Sequence, residues 1–458
     1  MNNHWRDIFG GSLLAVASAT VSMSVWGQAV ESGGGATSAA TLEELREQVR
    51  VLQMKVEEMG AKQVSRADVD AIIREVLADS AERSKLFGKG GELTAGYDRG
   101  FFIRSEDGAN VFRPGVLFQF RGVANYAEDA GASNDRDELD SGFEVRRLRV
   151  RFDGSVYSPA LTYSVQFDVN RSNGAEALLE AWGRYRFSDD WAVKAGQYKL
   201  SFSRERDMSS TSQQAVDRTL VDQMIGGAQT NRVQGVSTVY GGGKDRAVRV
   251  EYSVDDGPNS SNTDFRDTAA SSFGTGARAE WKLAGDWGNY RDFSARGTQE
   301  TLAVLGGGAY YADTTSGGVL FSTVDVQVEL AGGWGFFAAG HGRSRFERGG
   351  AGQDDAFDAG AIVQGSYMFT KSLEGYVRYD YLSLDDGGGV GAASDSYQEV
   401  AVGGTYFFGK DGAFGHRAKI SADVVYLPDG GPSGASGLGI VNSEESQVVF
   451  RTQLTLQI

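Results

Sequence analysis

Residues 161–170 read LTYSVQFDVN, and residues 324–330 read VDVQVEL. In the first stretch Leu161, Tyr163, Val165, Phe167 and Val169 alternate with Thr162, Ser164, Gln166, Asp168 and Asn170. In the second, Val324, Val326, Val328 and Leu330 alternate with Asp325, Gln327 and Glu329. A period of two is the strand period, with one face apolar and the other polar. The same alternation recurs from about Val111 to Ile458. A soluble sandwich would turn the polar face to bulk water. A membrane barrel would turn the apolar face to lipid and line a lumen with the polar one.

Counting separates the two. About sixteen alternating segments can be marked, beginning with 111–126, 143–157, 161–170, 178–187 and 191–202 and ending with 446–458. An even count suits a closed antiparallel barrel. The gaps 127–142, 203–230, 256–273, 383–396 and 428–445 are long, whereas 158–160, 188–190, 331–333 and 370–372 are tight. Long loops on one side and short turns on the other are the asymmetry of an outer-membrane barrel. Two gaps depart from it: 286–299 is long where a turn is due, and 314–318 is short where a loop is due. Phe101–Arg104 reads as an additional short strand. The last segment alternates Val448, Phe450, Thr452, Leu454, Leu456 and Ile458 with Arg451, Gln453, Thr455 and Gln457. An open edge in lipid would strand its backbone groups, so this segment is expected to pair with the first. The expected fold is therefore an all-β, about 16-stranded antiparallel transmembrane β-barrel over 100–458, behind an N-terminal helical or coiled-coil segment.

The N-terminus points to export. Residues 1–29 carry Arg6, an apolar run from Ser12 to Val25, and small residues at Gly27 and Ala29, as a cleaved signal peptide requires. A short membrane anchor is the alternative reading, but the run is too Ser-rich to span well. Residues 30–41 form a Gly/Ser/Ala/Thr linker. Across 42–82 a helical stalk is expected. Leu42, Leu45, Val49, Leu52, Val56 and Met59 follow the 3–4 spacing of a coiled-coil seam. So short a seam forms readily only between chains already gathered; packing of one helix on its own protein is the competing reading. Cys is absent, so neither a disulfide nor a thiolate site is available.

The stretch GQYKLSFSRE at 196–205, followed by DRTL at 217–220, resembles the signature of phosphate-selective porins of the O/P type. FEVRRLRVRFDG at 143–154 and FRPGVLFQFRG at 112–122 are similar to that family's second and first strands. The resemblance implies a homotrimeric, sixteen-stranded outer-membrane porin with inward-folded loops and a basic pore for small anions such as phosphate. Ser201 stands where the family typically carries Pro, and Ile458 where the C-terminal signal usually has Phe.

On the polar face of the first five segments lie Arg113, Arg121, Arg147, Arg149, Arg151, Arg184, Arg186 and Lys199, eight basic residues against Asp153, Asp168 and Glu180. The remaining segments carry ten basic and nine acidic residues there, so one wall is basic and the rest mixed. The net charge of −16 must then sit largely outside the lumen, as in the acidic gap 127–142. Arg147, Arg149 and Arg151 should stack at ~7 Å intervals on one face. Phe143 and Val145 share their parity, which requires a bulge near Arg146. Two readings of this row stand open. The arginines form an anion-conducting ladder, or they anchor an inward loop through acids such as Glu205, Asp207, Asp217 and Asp222. The 203–230 gap, the longest, is the expected constriction, with Arg204, Arg206 and Arg218 setting its width and charge; an outer loop over the mouth is the bland alternative.

Enzymatic readings are weak. Beyond His4 only His341 and His416 occur, on different segments, and Ser209–Ser210 has no nearby His. No metal, cofactor or nucleic-acid signature is present. The functions that remain are an anion-preferring porin, a general diffusion porin, and an envelope protein whose stalk ties the outer membrane to the cell wall.

Overall fold

The computed structural model describes residues 93–458, apart from 99, 128–138, 172, 242, 244, 259, 267–272, 316, 348–354 and 386–393. The expected signal peptide, linker and stalk lie outside the described residues, as does most of the acidic 127–142 gap.

Two short strands, β1 (Leu93–Tyr97) and β2 (Phe101–Ser105), form a hairpin, and β2 pairs with the start of β3 (Val111–Ala127). The chain continues through β4 (Leu139–Val156), β5 (Ser158–Val169), β6 (Glu176–Arg186), β7 (Trp191–Lys199), β8 (Arg232–Gly241), β9 (Val248–Asp255) and β10 (Phe273–Ala284). It then forms β11 (Leu302–Thr314), β12 (Gly317–Glu329), β13 (Trp334–Glu347), β14 (Ala356–Met368), β15 (Leu373–Ser383), β16 (Ser396–Phe407), β17 (Ala418–Leu427) and β18 (Gln447–Gln457). Each strand from β3 to β18 pairs antiparallel with its sequence neighbour, and β18 pairs with β3, closing sixteen strands into a barrel. Closure extends to the terminus: Ile458 exchanges two backbone hydrogen bonds with Val116, at 2.9 and 3.0 Å.

The burial is inside out. On β12 Val324 is 58% exposed while neighbouring Asp325 is 3% exposed. Phe120, Phe143, Val363, Val377 and Phe450 are likewise exposed, while Arg121, Arg378 and Arg451 are buried. Apolar side chains therefore face outward to lipid and polar ones inward, the reverse of a water-soluble core.

The interior is not an open tube. Twenty-one buried apolar residues form one cluster inside the barrel, joining Met208, Leu220, Val221, Met224 and Ile225 to Ile362, Tyr376, Leu382, Val425 and Val449 on the wall. The 200–231 connection between β7 and β8 has folded into the lumen. Taking each large apolar side chain out of lumenal water stabilises that course by about 1.5–3 kcal/mol.

The anomalous 286–299 gap also folds inward, from the turn side. Phe293 packs on Phe337 at 4.3 Å between ring centroids. The Phe293 carbonyl accepts from Gln214 Nε2 at 3.0 Å, so the two inward segments meet.

Candidate functional site

The inward loop is built from short capped elements. Ser203 Oγ accepts from Arg206 N to start α1 (Arg204–Asp207), and Thr219 Oγ1 accepts from Asp222 N to start α2 (Leu220–Met224). The Glu205 carboxylate accepts from Thr219 N at 2.9 Å and Thr219 Oγ1 at 2.7 Å, tying the two helices together. Burial, with the Asp222 charge beside it, pushes the Glu205 carboxyl up to about 7. Ser201, where the resemblance expects Pro, donates to Asp207 Oδ2 at 2.9 Å. A third short helix, α3 (Gly227–Thr230), returns the chain to β8.

The wall from β10 round to β18 grips this loop. Lys419 Nζ donates to the Gln213 carbonyl, Thr405 Oγ1 to the Gln214 carbonyl at 3.1 Å, and Arg378 Nη1 to the Asp217 carbonyl at 3.1 Å. Val216 N donates to Asp423 Oδ2 at 3.0 Å, and Arg278 Nη1 donates to the Phe202 carbonyl at 3.2 Å. The mixed charges of this wall consume one another. Arg278 pairs with Asp325 at 2.7 Å, Arg343 with Asp358 at 2.6 Å, Arg451 with Asp423 at 2.7 Å, and Arg378 with Glu399.

The free space lies against the other wall. A cavity of about 610 Å³ is lined by Arg113, Asp153, Lys199, Arg218 and the C-terminal Ile458, on the turn side. A second, of about 320 Å³, is lined by Asn170, Arg171 and Asn262, on the loop side. The two share Arg146, Arg147, Arg149, Asp168 and Arg232, which mark the neck between them on the β3–β8 wall.

At the neck Arg147 Nη1 donates to Gln119 at 2.9 Å and its Nη2 to Asp217 Oδ1 at 3.2 Å. Arg146 Nη2 reaches the same oxygen at 3.1 Å, and Arg121 Nη1 holds Oδ2. Burial opposes ionisation of Asp217, but Arg146, Arg121 and Arg147 outweigh it and hold the carboxyl well below the usual carboxylate range. Arg149 pairs with Asp168 at 3.2 Å and donates to Ser210 Oγ at 3.4 Å. Arg151 pairs with Asp153 at 2.6 Å.

The other expected residues divide. Lys199 Nζ donates to the Arg206, Asp207 and Met208 carbonyls, and Arg218 to those of Glu205 and Met208, so both cap the C-terminal end of α1. Arg206 pairs with Asp222 at 3.4 Å and borders the larger of the two cavities. Arg204 is buried, with its guanidinium 3.6 Å from the Tyr290 ring centroid, and fastens the loop to the 286–299 segment. Arg113 donates to the Asp98 carbonyl at the turn-side mouth. Arg184 and Arg186 sit lower on β6, in register with Lys194 and Ala192. Among the described residues Arg113, Lys199 and Arg218 have no carboxylate partner within salt-bridge distance.

The bulge expected near Arg146 is present. The register shifts so that Gln119 faces Arg147 while Phe120 faces Val145, leaving Arg146 as the bulged residue. The parity conflict of Phe143 and Val145 with Arg147 was the signal for it.

The protein family described as phosphate-selective porin O and P matches residues 120–415. The chain belongs to this family. It is a porin of the outer membrane, whose barrel provides for diffusion of small solutes. Comparison with curated proteins returns no match. Among solved structures, the anion-selective porin from Comamonas acidovorans is similar at 10% identity, with a TM-score of 0.50 over 76% of this chain and 99% of that one. The outer-membrane channel DcaP of Acinetobacter baumannii is 15% identical, with a TM-score of 0.48 over 79% of this chain and 100% of that one. A loop L8 deletion mutant of OmpT from Vibrio cholerae is 12% identical, with a TM-score of 0.49 over 76% and 100%. At 10% identity the likeness to the Comamonas acidovorans porin is one of fold.

Proposed function

We propose that this porin passes small anions, phosphate-like oxyanions among them, by passive diffusion along the β3–β8 wall. The carrying observation is the lining of the larger cavity, which holds nine Arg and Lys side chains against four of Asp and Glu. Low-dielectric walls focus such an excess on the passing ion. On this reading Arg147 and Arg121 serve the loop anchor, while Arg113, Arg149, Arg151, Lys199 and Arg218, together with Arg232, set the potential. The likeness to an anion-selective porin bears on fold, and the anion preference rests on the charged lining. Pairing of Arg149 and Arg151 with carboxylates favours a weak preference, closer to a general diffusion porin than to a tight phosphate site.

The function is that of a conduit and not an enzyme. Assembly is expected to be trimeric, with the Leu42–Met59 seam assisting barrel contacts and the 42–82 stalk serving as a tether to the cell wall. Cross-linking of a folded, heat-modifiable sample should give trimers with and without residues 42–82; monomers alone would refute the assembly. Cell-wall pull-down should depend on residues 42–82; equal recovery without them would refute the tether. The selectivity test is the zero-current potential across a KCl gradient. A sign set by chloride supports the proposal, and a sign set by potassium refutes it.

A further inference from the structure

Asp217 stands among three guanidinium groups, of which Arg121 is shared with the Glu144 carboxylate while Arg146 and Arg147 have Asp217 as their carboxylate partner. Its side chain is 1% exposed and takes hydrogen bonds from three guanidinium groups. Arg146 spans both oxygens, Nη2 to Oδ1 at 3.1 Å and Nε to Oδ2 at 3.4 Å. Arg147 adds a second donor to Oδ1, and Arg121 one to Oδ2. A fork of N–H donors on each oxygen is the reception a free oxyanion would be given. Arg146 and Arg147 also border both cavities, so this reception stands at the wall of the neck.

The loop does not depend on this carboxylate alone. The Asp217 carbonyl is held by Arg378, Val216 N by Asp423, and Thr219 by Glu205. The main chain on either side therefore keeps its course if the side chain is shortened.

We propose that Asp217 is a resident anion: its carboxylate fills an oxyanion site formed by Arg121, Arg146 and Arg147, and so determines specificity by denying passing oxyanions a tight stop at the neck. The proposal rests on the anion-passing reading given above. A site that binds too well slows conduction, because each ion must leave before the next advances. Occupation by a tethered carboxylate leaves the wall basic while its strongest site is closed.

The test uses the full chain in planar bilayers and in thermal melts. Asp217→Ala leaves a carboxylate-sized space facing three guanidinium groups. In KCl with added inorganic phosphate, its current should fall at phosphate concentrations lower than wild type by about tenfold or more, the worth of one or two charge-assisted hydrogen bonds. Acetate or phosphate should raise its melting temperature and leave that of wild type unchanged. Asp217→Asn fills the space without the charge. It should raise the anion-to-cation permeability ratio by a factor of roughly two and add no phosphate block. A folded Asp217→Ala channel with wild-type phosphate sensitivity and no stabilisation by acetate would overturn the proposal. If that variant fails to fold, an unchanged permeability ratio in Asp217→Asn would overturn it instead. A wild-type channel with no anion preference would defeat the function proposed above, while acetate stabilisation of Asp217→Ala would still report the site.

Discussion

Arg378 on β15 donates to the main-chain oxygen of Asp217 at 3.1 Å, across 161 residues of sequence. The carboxylate of the same Asp217 is held from β3 and β4 by Arg121, Arg146 and Arg147. One loop residue is thus gripped from two stretches of the wall, β15 and β3–β4, four to five strands apart round the barrel. The inward loop becomes a partition, with apolar packing behind it and the basic passage in front.

The partition's anchorage can be weakened from behind. Arg378 also pairs with Glu399 and approaches Asp380 at 3.8 Å, all with side chains about 1% exposed or less. Arg378→Met strands two buried carboxylates, and removing one partner of such a group costs about 3–5 kcal/mol. The urea midpoint of the folded barrel should fall, with noisier single-channel current. Wild-type stability in this variant would mean that the back anchors contribute little.

Steric pressure offers a second test. A Cβ on Gly360 would stand 2.6 Å from Val221 Cγ1 and 3.0 Å from its Cγ2. Gly360→Leu can be relieved only by moving the loop off β14 toward the passage, at an overpacking cost of about 1–3 kcal/mol. Single-channel conductance should drop, and Gly360→Ala should drop it less. Equal conductance in both would place the solute path elsewhere.

Selectivity should depend on pH through Asp207, which borders the passage. Burial pushes its carboxyl up to about 6, with Glu280 acting the same way and Arg278, Lys199 and the Ser201 hydroxyl acting against. The group is neutral below that pH and negative above it. The anion-to-cation ratio should therefore be higher at pH 5 than at pH 8, and Asp207→Asn should flatten the difference. Because the folded-state value is raised, the group's contribution to stability is lost as pH rises from the ordinary carboxyl range through about 6. Glu205, up at about 7, ties α1 to α2 and should add to that loss. A ratio that rises with pH would contradict the assignment.

Much of this architecture is legible in the chain because a barrel strand is exposed to two solvents. Lipid outside and water or charge inside write the period of two directly into β5 and β12. All sixteen barrel strands fall within a few residues of the expected segments, and Phe101–Arg104 forms β2 as read. The β1 hairpin partner, at Leu93–Tyr97, carries too short an alternation to be seen. The lumen is less legible. Alternation tells which face a side chain takes, not whether its charge is already spent. The acids and bases from β10 to β18 largely pair with one another, as Arg278 with Asp325 and Arg451 with Asp423, while Arg146 escapes the parity rule through its bulge. Only the length of 286–299 hinted that it folds inward, since its contacts with Gln214 and Arg204 are tertiary.

The claim that solute runs along the arginine-bearing wall is tested most directly by replacing Arg147, Arg149 and Arg151 together with Ser and measuring the zero-current potential in a KCl gradient. Arg121 and Arg146 still hold Asp217 in such a variant. The potential should shift from anions toward cations, most at low salt. It should shrink in concentrated salt, as the Debye length falls from about 10 Å at 0.1 M to about 3 Å at 1 M. A folded, conducting variant with the wild-type potential at every salt concentration would contradict it.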